Sequence, residues 1–159
     1  WGYKYIHHKL RLLLCFSSLV SQQKLTGELP LTLKSCHQLS DLRLASNELT
    51  GKIPSWLFDL NIFPQLEKVF LAFNKFTGEV PKEFSKSAVV DLLLRNNNLT
   101  GRLPKCPPSL ETLHMPNNDI QTLESGCFRG CINLKEINLE RNSLGERRKE
   151  KEGEVTMQE

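Results

Sequence analysis

Leu66-Glu67-Lys68-Val69-Phe70-Leu71-Ala72-Phe73-Asn74-Lys75-Phe76-Thr77-Gly78-Glu79-Val80-Pro81 is the stretch on which the fold of this chain turns. Its apolar residues Leu66, Val69, Leu71 and Phe76, with Asn74 between the last two, define the frame apolar-x-x-apolar-x-apolar-x-x-Asn-x-apolar. That frame occurs once upstream, as Leu39, Leu42, Leu44, Asn47 and Leu49. It occurs three times downstream: Val89, Leu92, Leu94, Asn97, Leu99; Leu110, Leu113, Met115, Asn118, Ile120; and Leu134, Ile137, Leu139, Asn142, Leu144. In all five copies every apolar slot is apolar and every asparagine slot holds Asn. A second signature overlaps the first. Leu25-Thr26-Gly27, Leu49-Thr50-Gly51, Phe76-Thr77-Gly78 and Leu99-Thr100-Gly101 are each followed by one variable residue, an aliphatic and a proline.

Self-similarity at a period of a few tens of residues identifies a stacked-repeat architecture. Successive apolar residues after the asparagine slot (Leu25, Leu49, Phe76, Leu99, Ile120, Leu144) are 24, 27, 23, 21 and 24 apart. The long copy carries an insertion at Asn61-Ile62-Phe63-Pro64, where proline breaks a helix and makes a loop. The short copy has Pro107-Pro108 in place of the Thr-Gly-x-x-Pro turn.

Each slot has a physical role. Alternation around the two central apolar residues lays down one short strand per copy with those residues inward. Parallel stacking of the strands buries them against neighbouring copies, which no single copy achieves alone. The asparagines are expected to satisfy backbone groups where the chain leaves the sheet, forming a ladder of Asn47, Asn74, Asn97, Asn118 and Asn142. Glycine after threonine permits a positive φ, and proline ends hydrogen bonding on the outer side. Pro54 to Leu60 has room for a single helical turn on the convex side.

These residues resemble the leucine-rich repeat family, and the Leu-Thr-Gly-x-Ile-Pro-like ending is similar to that of its plant extracellular subtype. The resemblance covers 15–145. It implies an α/β solenoid, a horseshoe with a parallel concave sheet, of five clear repeats plus one degraded N-terminal repeat, in which Cys15, Ser18, Val20 and Gln23 replace Leu, Leu, Leu and Asn. Segment 1–14 is then a basic and apolar leader to the array. The same region also fits a signal sequence, with Lys4 to Arg11 as the positive part and Leu12 to Val20 as the apolar part, ending near Ser21. A start at Trp1 rather than Met favours an interior fragment of a longer protein. Segment 146–159 is dense in charge, with only Val155 and Met157 apolar, and is expected to be a solvated, disordered tail.

The composition excludes several classes. The 159 residues carry a net charge of +3, all of it from Lys4, Lys9 and Arg11, so no basic stripe for nucleic acid exists. No run reaches the roughly 18 apolar residues that span a bilayer. The five cysteines (Cys15, Cys36, Cys106, Cys127, Cys131) and four histidines show no zinc-ligand spacing, so no metal or cofactor is expected. Cys36 and Cys131 each precede the first leucine of a copy by three, a slot for a small buried residue. Cys127 and Cys131 are close enough in sequence to pair but are expected to be reduced thiols. The resemblance implies capping cysteine pairs, and none is visible in the sequence. No catalytic arrangement is present.

A solenoid offers a surface instead. Side chains between the inward leucines point onto the concave face, and they include Arg43, Lys68, Phe70, Phe73, Asp91, Leu93, Arg95 and His114. Phe70, Phe73 and Leu93 form an outward apolar cluster rimmed by Lys68, Asp91 and Arg95, the composition of a protein contact. Asn98-Leu99-Thr100 is the sole N-glycosylation sequon. The resemblance implies a module that binds a protein or peptide ligand, or a co-receptor, at the cell surface as part of a longer parent. A secreted repeat-type inhibitor, a cytoplasmic scaffold or a truncated gene product are the alternatives.

Overall fold

The structure, a computed structural model, describes residues 23–145. The expectations for 1–14, for Cys15, Ser18 and Val20 of the degraded copy, for the signal sequence and for the tail 146–159 lie outside the described residues. Ten short strands follow one another: β1 (Thr26–Gly27), β2 (Asp41–Arg43), β3 (Glu48–Leu49), β4 (Lys68–Phe70), β5 (Thr77–Gly78), β6 (Asp91–Leu93), β7 (Asn98–Leu103), β8 (Thr112–His114), β9 (Asp119–Leu123) and β10 (Glu136–Asn138). The even-numbered strands form one five-stranded parallel sheet in the order β2-β4-β6-β8-β10. Each copy contributes its x-apolar-x tripeptide in register: Leu42, Val69, Leu92, Leu113 and Ile137 align across the sheet.

The inward column and its neighbours Leu44, Leu71, Leu94 and Met115 are sealed from solvent as far as β8. Each buried leucine contributes about 2 kcal/mol through loss of apolar surface to water. Ile137 on β10 is 44% exposed, because among the described residues no further strand covers it.

The helical layer is reduced to single 3-10 turns among the described residues: Leu31–Ser35, Ser55–Phe58 and Lys82–Lys86. Each starts directly after the proline of a Thr-Gly-x-x-Pro ending, Pro30, Pro54 or Pro81, at φ −76°, −76° and −60°. The pyrrolidine ring holds φ near the helical value, so the proline starts the turn as well as ending the preceding pairing. The fourth such proline, Pro104, starts none. Pro107 and Pro108 follow it, and they lack amide donors and push the residue before them out of the helical region. The turns insert Leu33, Leu57 and Phe84 into the core, where Phe58 meets Phe84 edge-on at 5.3 Å between centroids. The insertion at 61–64 is a loop, as expected. Asn61 donates from both its backbone and side-chain nitrogen to Asp59 Oδ1 at 2.9 Å, and Phe63 drops into the core beside Trp56.

The Thr-Gly segments do more than turn. They form a second ladder at the side of the array, with β1 pairing β3 and β5-β7-β9 forming a three-stranded parallel sheet. Gly27, Gly51, Gly78 and Gly101 all take positive φ there. At Gly51 the φ of 79° calls for glycine, and the exposed Glu28 side chain of the preceding copy rests against it.

The asparagines link the copies. Asn97 Oδ1 accepts from Phe76 N of the preceding copy at 3.0 Å, and its Nδ2 donates to Leu71 O and Leu94 O, both at 3.0 Å. Asn74 makes the same set with Leu49 N, Leu44 O and Leu71 O. Asn118 and Asn142 repeat it, with Leu99 N, Leu94 O and Met115 O, and with Ile120 N, Met115 O and Leu139 O.

Cys36, expected as a buried thiol, is instead disulfide-bonded. Cys127 and Cys131 are free thiols, as expected, and Cys127 faces Cys106, 21 residues earlier, with the sulfurs 3.8 Å apart.

Replacing Asn97 by alanine strands the Phe76 N–H in the interior, while Leu71 O and Leu94 O keep the amides of Asn74 and Asn118. An unsatisfied buried group costs about 1–3 kcal/mol, so Asn97→Ala should destabilise the array by about that much. Urea unfolding checks this; a shift under about 1 kcal/mol at unchanged slope would show that the ladder is dispensable.

Candidate binding face

The five-stranded sheet turns one face to the core and leaves the other open. β2, β4, β6 and β8 all show the same exposure: a buried central residue between two half-buried ones. Strict register therefore builds two columns on the open face. One runs Asp41, Lys68, Asp91, Thr112, Glu136, and the other Arg43, Phe70, Leu93, His114, Asn138. Neighbours within a column sit about 4.8 Å apart along the hydrogen-bonding direction.

At the N-terminal side of the face, Arg43 is held by Asp41, its Nε 3.0 and 2.9 Å from the two carboxylate oxygens and its Nη2 2.8 Å from Oδ2. The hydrogen bonds it donates to Asp41, and the charge of that carboxylate, raise the Arg43 guanidinium above its ordinary pKa against an opposing effect of burial. The guanidinium lies 5.0 Å from the ring centroid of Phe70 on the adjacent strand. Such a stack draws on the negative face of the ring and orders both side chains. Asp41, which is not among the face residues expected from the sequence, is thus what orients Arg43. The signal was available: two residues before Arg43 in a strand lies the same face.

Phe73 follows β4 and stands 44% exposed, whereas Phe70 is half-buried. Its backbone N–H donates to Arg95 O at 2.8 Å, and the Arg95 guanidinium covers its ring at 4.8 Å. Phe73 has φ 56°. So do the residues before the asparagine in the other copies: Ser46, Asn96, Asn117 and Arg141 have φ between 53° and 57°. The sequence reading assigned positive φ to the glycines alone. The tight turn into the asparagine demands it here as well, and asparagine tolerates it far better than phenylalanine. Asn96 adds a polar link along this column, its Oδ1 accepting from Asn117 Nδ2 at 3.1 Å and Arg95 Nε at 3.4 Å.

Leu93 lies between Phe70 and His114 in register. His114 Nε2 approaches Glu136 Oε1 at 2.8 Å without the alignment of a hydrogen bond, leaving that ring nitrogen buried and unsatisfied while the imidazole is neutral. Lys68 and Asp91 are aligned on neighbouring strands, and among the described residues neither makes a close ion pair. The structure thus gathers Arg43, Lys68, Phe70, Asp91, Leu93 and His114 on contiguous strands, with Phe73 and Arg95 at their C-terminal rim. Asn98 sits elsewhere: exposed, at the start of β7 on the lateral ladder, with its N–H bonded to Phe76 O.

Models of the leucine rich repeat match residues 38–60, 65–87 and 108–147, together more than half of the chain. Receptor-like protein 32 of Arabidopsis thaliana is 33% identical over 144 residues, which is 81% of this chain and 16% of that protein. Receptor-like protein 39 of the same plant is 40% identical over 91 residues, 56% of this chain and 10% of that protein. Among solved structures, the Arabidopsis receptor kinase HAESA in complex with the peptide hormone IDA and the co-receptor SERK1 superposes with a TM-score of 0.69 at 28% identity, over 78% of this chain and 21% of that chain. The chain thus spans a small part of the length of each of these three proteins. With its asparagine ladder, its Thr-Gly-x-x-Pro lateral strands and these relatives, the chain belongs to the leucine-rich repeat family in its plant form.

Proposed function

We propose that the chain is a ligand-binding segment of a plant cell-surface receptor-like protein, taking a protein or peptide on the open face of its five-stranded sheet, around Phe70, Phe73 and Leu93. The observation that carries this is the pair of aromatic rings capped by Arg43 and Arg95 beside the unpaired Lys68 and Asp91. Rigid aromatics and arginines that are already ordered lose little entropy on contact, and they dominate binding energy at protein interfaces. The strain at Phe73 points the same way. A bulky residue held at positive φ costs about 1–2 kcal/mol that serine or asparagine at this position largely avoids. Its retention at an exposed position is accounted for by a contact the ring makes with a partner. The co-receptor and peptide of the HAESA complex illustrate the class of partner, and no chemical step is assigned to this chain. Asn98 would carry a glycan on the lateral ladder, clear of the face.

Selection of a displayed peptide library against the purified 159-residue chain tests the proposal. Enriched peptides should bind the Phe70→Ser/Leu93→Ser variant at least tenfold more weakly, with its melting transition retained. Equal binding to this variant, or collapse of the fold on substitution, would remove the face from consideration. Phe73→Asn should raise stability by about 1 kcal/mol in urea while weakening the same peptides. Unchanged or lower stability would mean that the φ of this position carries no strain. Expression in a secretory host should add a glycan that Asn98→Gln abolishes, and the absence of any mass difference would refute modification at this residue.

A further inference from the structure

Cys106 lies between β7 and β8, and Cys127 lies between β9 and β10, one repeat further on. Their backbones are tied by a hydrogen bond from Cys106 N to Cys127 O at 2.8 Å. Their sulfurs are 3.8 Å apart, and both residues are buried. Cys131 is buried as well, but its thiol is turned to the backbone, donating to Pro107 O at 3.3 Å and to Cys106 O at 3.6 Å. Those are carbonyls of the Pro107-Pro108 segment, where the proline nitrogens offer no donor. Among the described residues, no group of three or more cysteines, histidines and acids is placed to hold a metal ion. Cys36, in the same chain, is disulfide-bonded, so the folded form is compatible with an oxidising environment.

We propose that Cys106 and Cys127 form a disulfide when the chain folds in the presence of a disulfide oxidant, stapling two adjacent repeats together, while Cys131 stays a thiol. Sulfurs 3.8 Å apart need only a small side-chain rotation to reach the bonding separation of about 2.05 Å. Either sulfur can start the exchange, because either can be the donor in the contact they share. When Cys127 starts, its thiolate attacks one sulfur of a small disulfide such as oxidised glutathione, making a mixed disulfide and releasing one glutathione thiolate, which takes a proton. The Cys106 sulfur, losing its own proton, then attacks the Cys127 sulfur and expels the second glutathione. Two cysteine thiols are oxidised by two electrons, and one glutathione disulfide is reduced to two thiols. Because both residues are buried, the exchange takes place during folding or local opening, before the two repeats close on each other.

The test refolds the full chain in glutathione buffers of increasing oxidised fraction until Cys36 is oxidised. Remaining thiols are then alkylated, and the chain is digested and mapped without reduction. The expected product is a Cys106–Cys127 linked peptide with Cys131 alkylated. A Cys127–Cys131 or Cys106–Cys131 link, or alkylation of all three while Cys36 is bonded, would overturn the proposal. Cys106→Ser should lower Tm by roughly 10 °C in oxidising buffer. It should cause no such drop in the presence of dithiothreitol, which separates a lost staple from a packing defect. Cys131→Ser should leave the linked peptide in place, and its loss would equally count against the assignment.

Discussion

The array depends on a buried side-chain amide doing backbone work. A three-residue strand that turns sharply leaves N–H and C=O groups inside the solenoid with no strand partner, and leaving such groups unpaired is costly. Asparagine has one acceptor oxygen and two donor hydrogens on a short stem, and that inventory is used almost in full. In Asn74, Asn97, Asn118 and Asn142 the oxygen takes an N–H from the preceding copy, and the nitrogen serves one carbonyl of the preceding copy and one of its own. The bond is therefore sequential: each copy is fastened to the one before it by the residue that also ends its own strand. Surface ion pairs such as Lys75–Glu48 and Lys135–Glu111 join the same neighbours but contribute little by comparison.

That turn also shapes the binding face. Entry into the asparagine forces the previous residue to positive φ, which lifts its side chain to the rim of the open face in every copy. In the copies carrying Ser46, Asn96 and Asn117 the position costs little. In the copy carrying Phe73 it is strained, and the same local backbone sets Arg95 over the ring through the bond from Phe73 N to Arg95 O. A structural constraint shared by all copies thus becomes a point of individuality where a copy departs from the small polar residue that the geometry favours, as those carrying Phe73 and Arg141 do. Ligand choice in a repeat protein resides in such departures, since the shared frame is common to every member.

The frame itself was open to sequence reading because its physics is local and periodic. Strand alternation, the asparagine turn and the glycine each act within a dozen residues and recur in each copy. Even so, the Thr-Gly segments read as turns, because pairing across copies has no signature within one copy; β5, β7 and β9 exist only through stacking. The spatial neighbour of Cys127 was hidden for the same reason. Cys127 is four residues from Cys131 along the chain, yet one turn of the solenoid brings it to Cys106, 21 residues away. Proximity in a solenoid is measured modulo the repeat, so the relevant neighbour of any residue is roughly one period off. The arginine–aromatic stacks were half legible. Alternation placed Arg43 and Phe70 on one face, but only the register, and Asp41 holding the guanidinium, puts the charge over the ring.

Sequential fastening also makes stability uneven along the chain. A copy in the middle is covered on both sides, as the complete burial of Leu92 and Leu113 shows, whereas Ile137 and the half-buried Leu134 and Leu139 are covered on one side only among the described residues. In a one-dimensional stack, the copy with a single interface opens first. Cys106 and Cys127 stand one copy inward from that position, at the point where Pro107-Pro108 interrupts the usual outer layer and no 3-10 turn replaces it. A covalent link there would join the same two copies that β7 and β9 already pair. Recognition surface and staple thus draw on different segments: the face on Arg43, Phe70, Phe73 and Arg95, the link on the stretches that lead into β8 and β10.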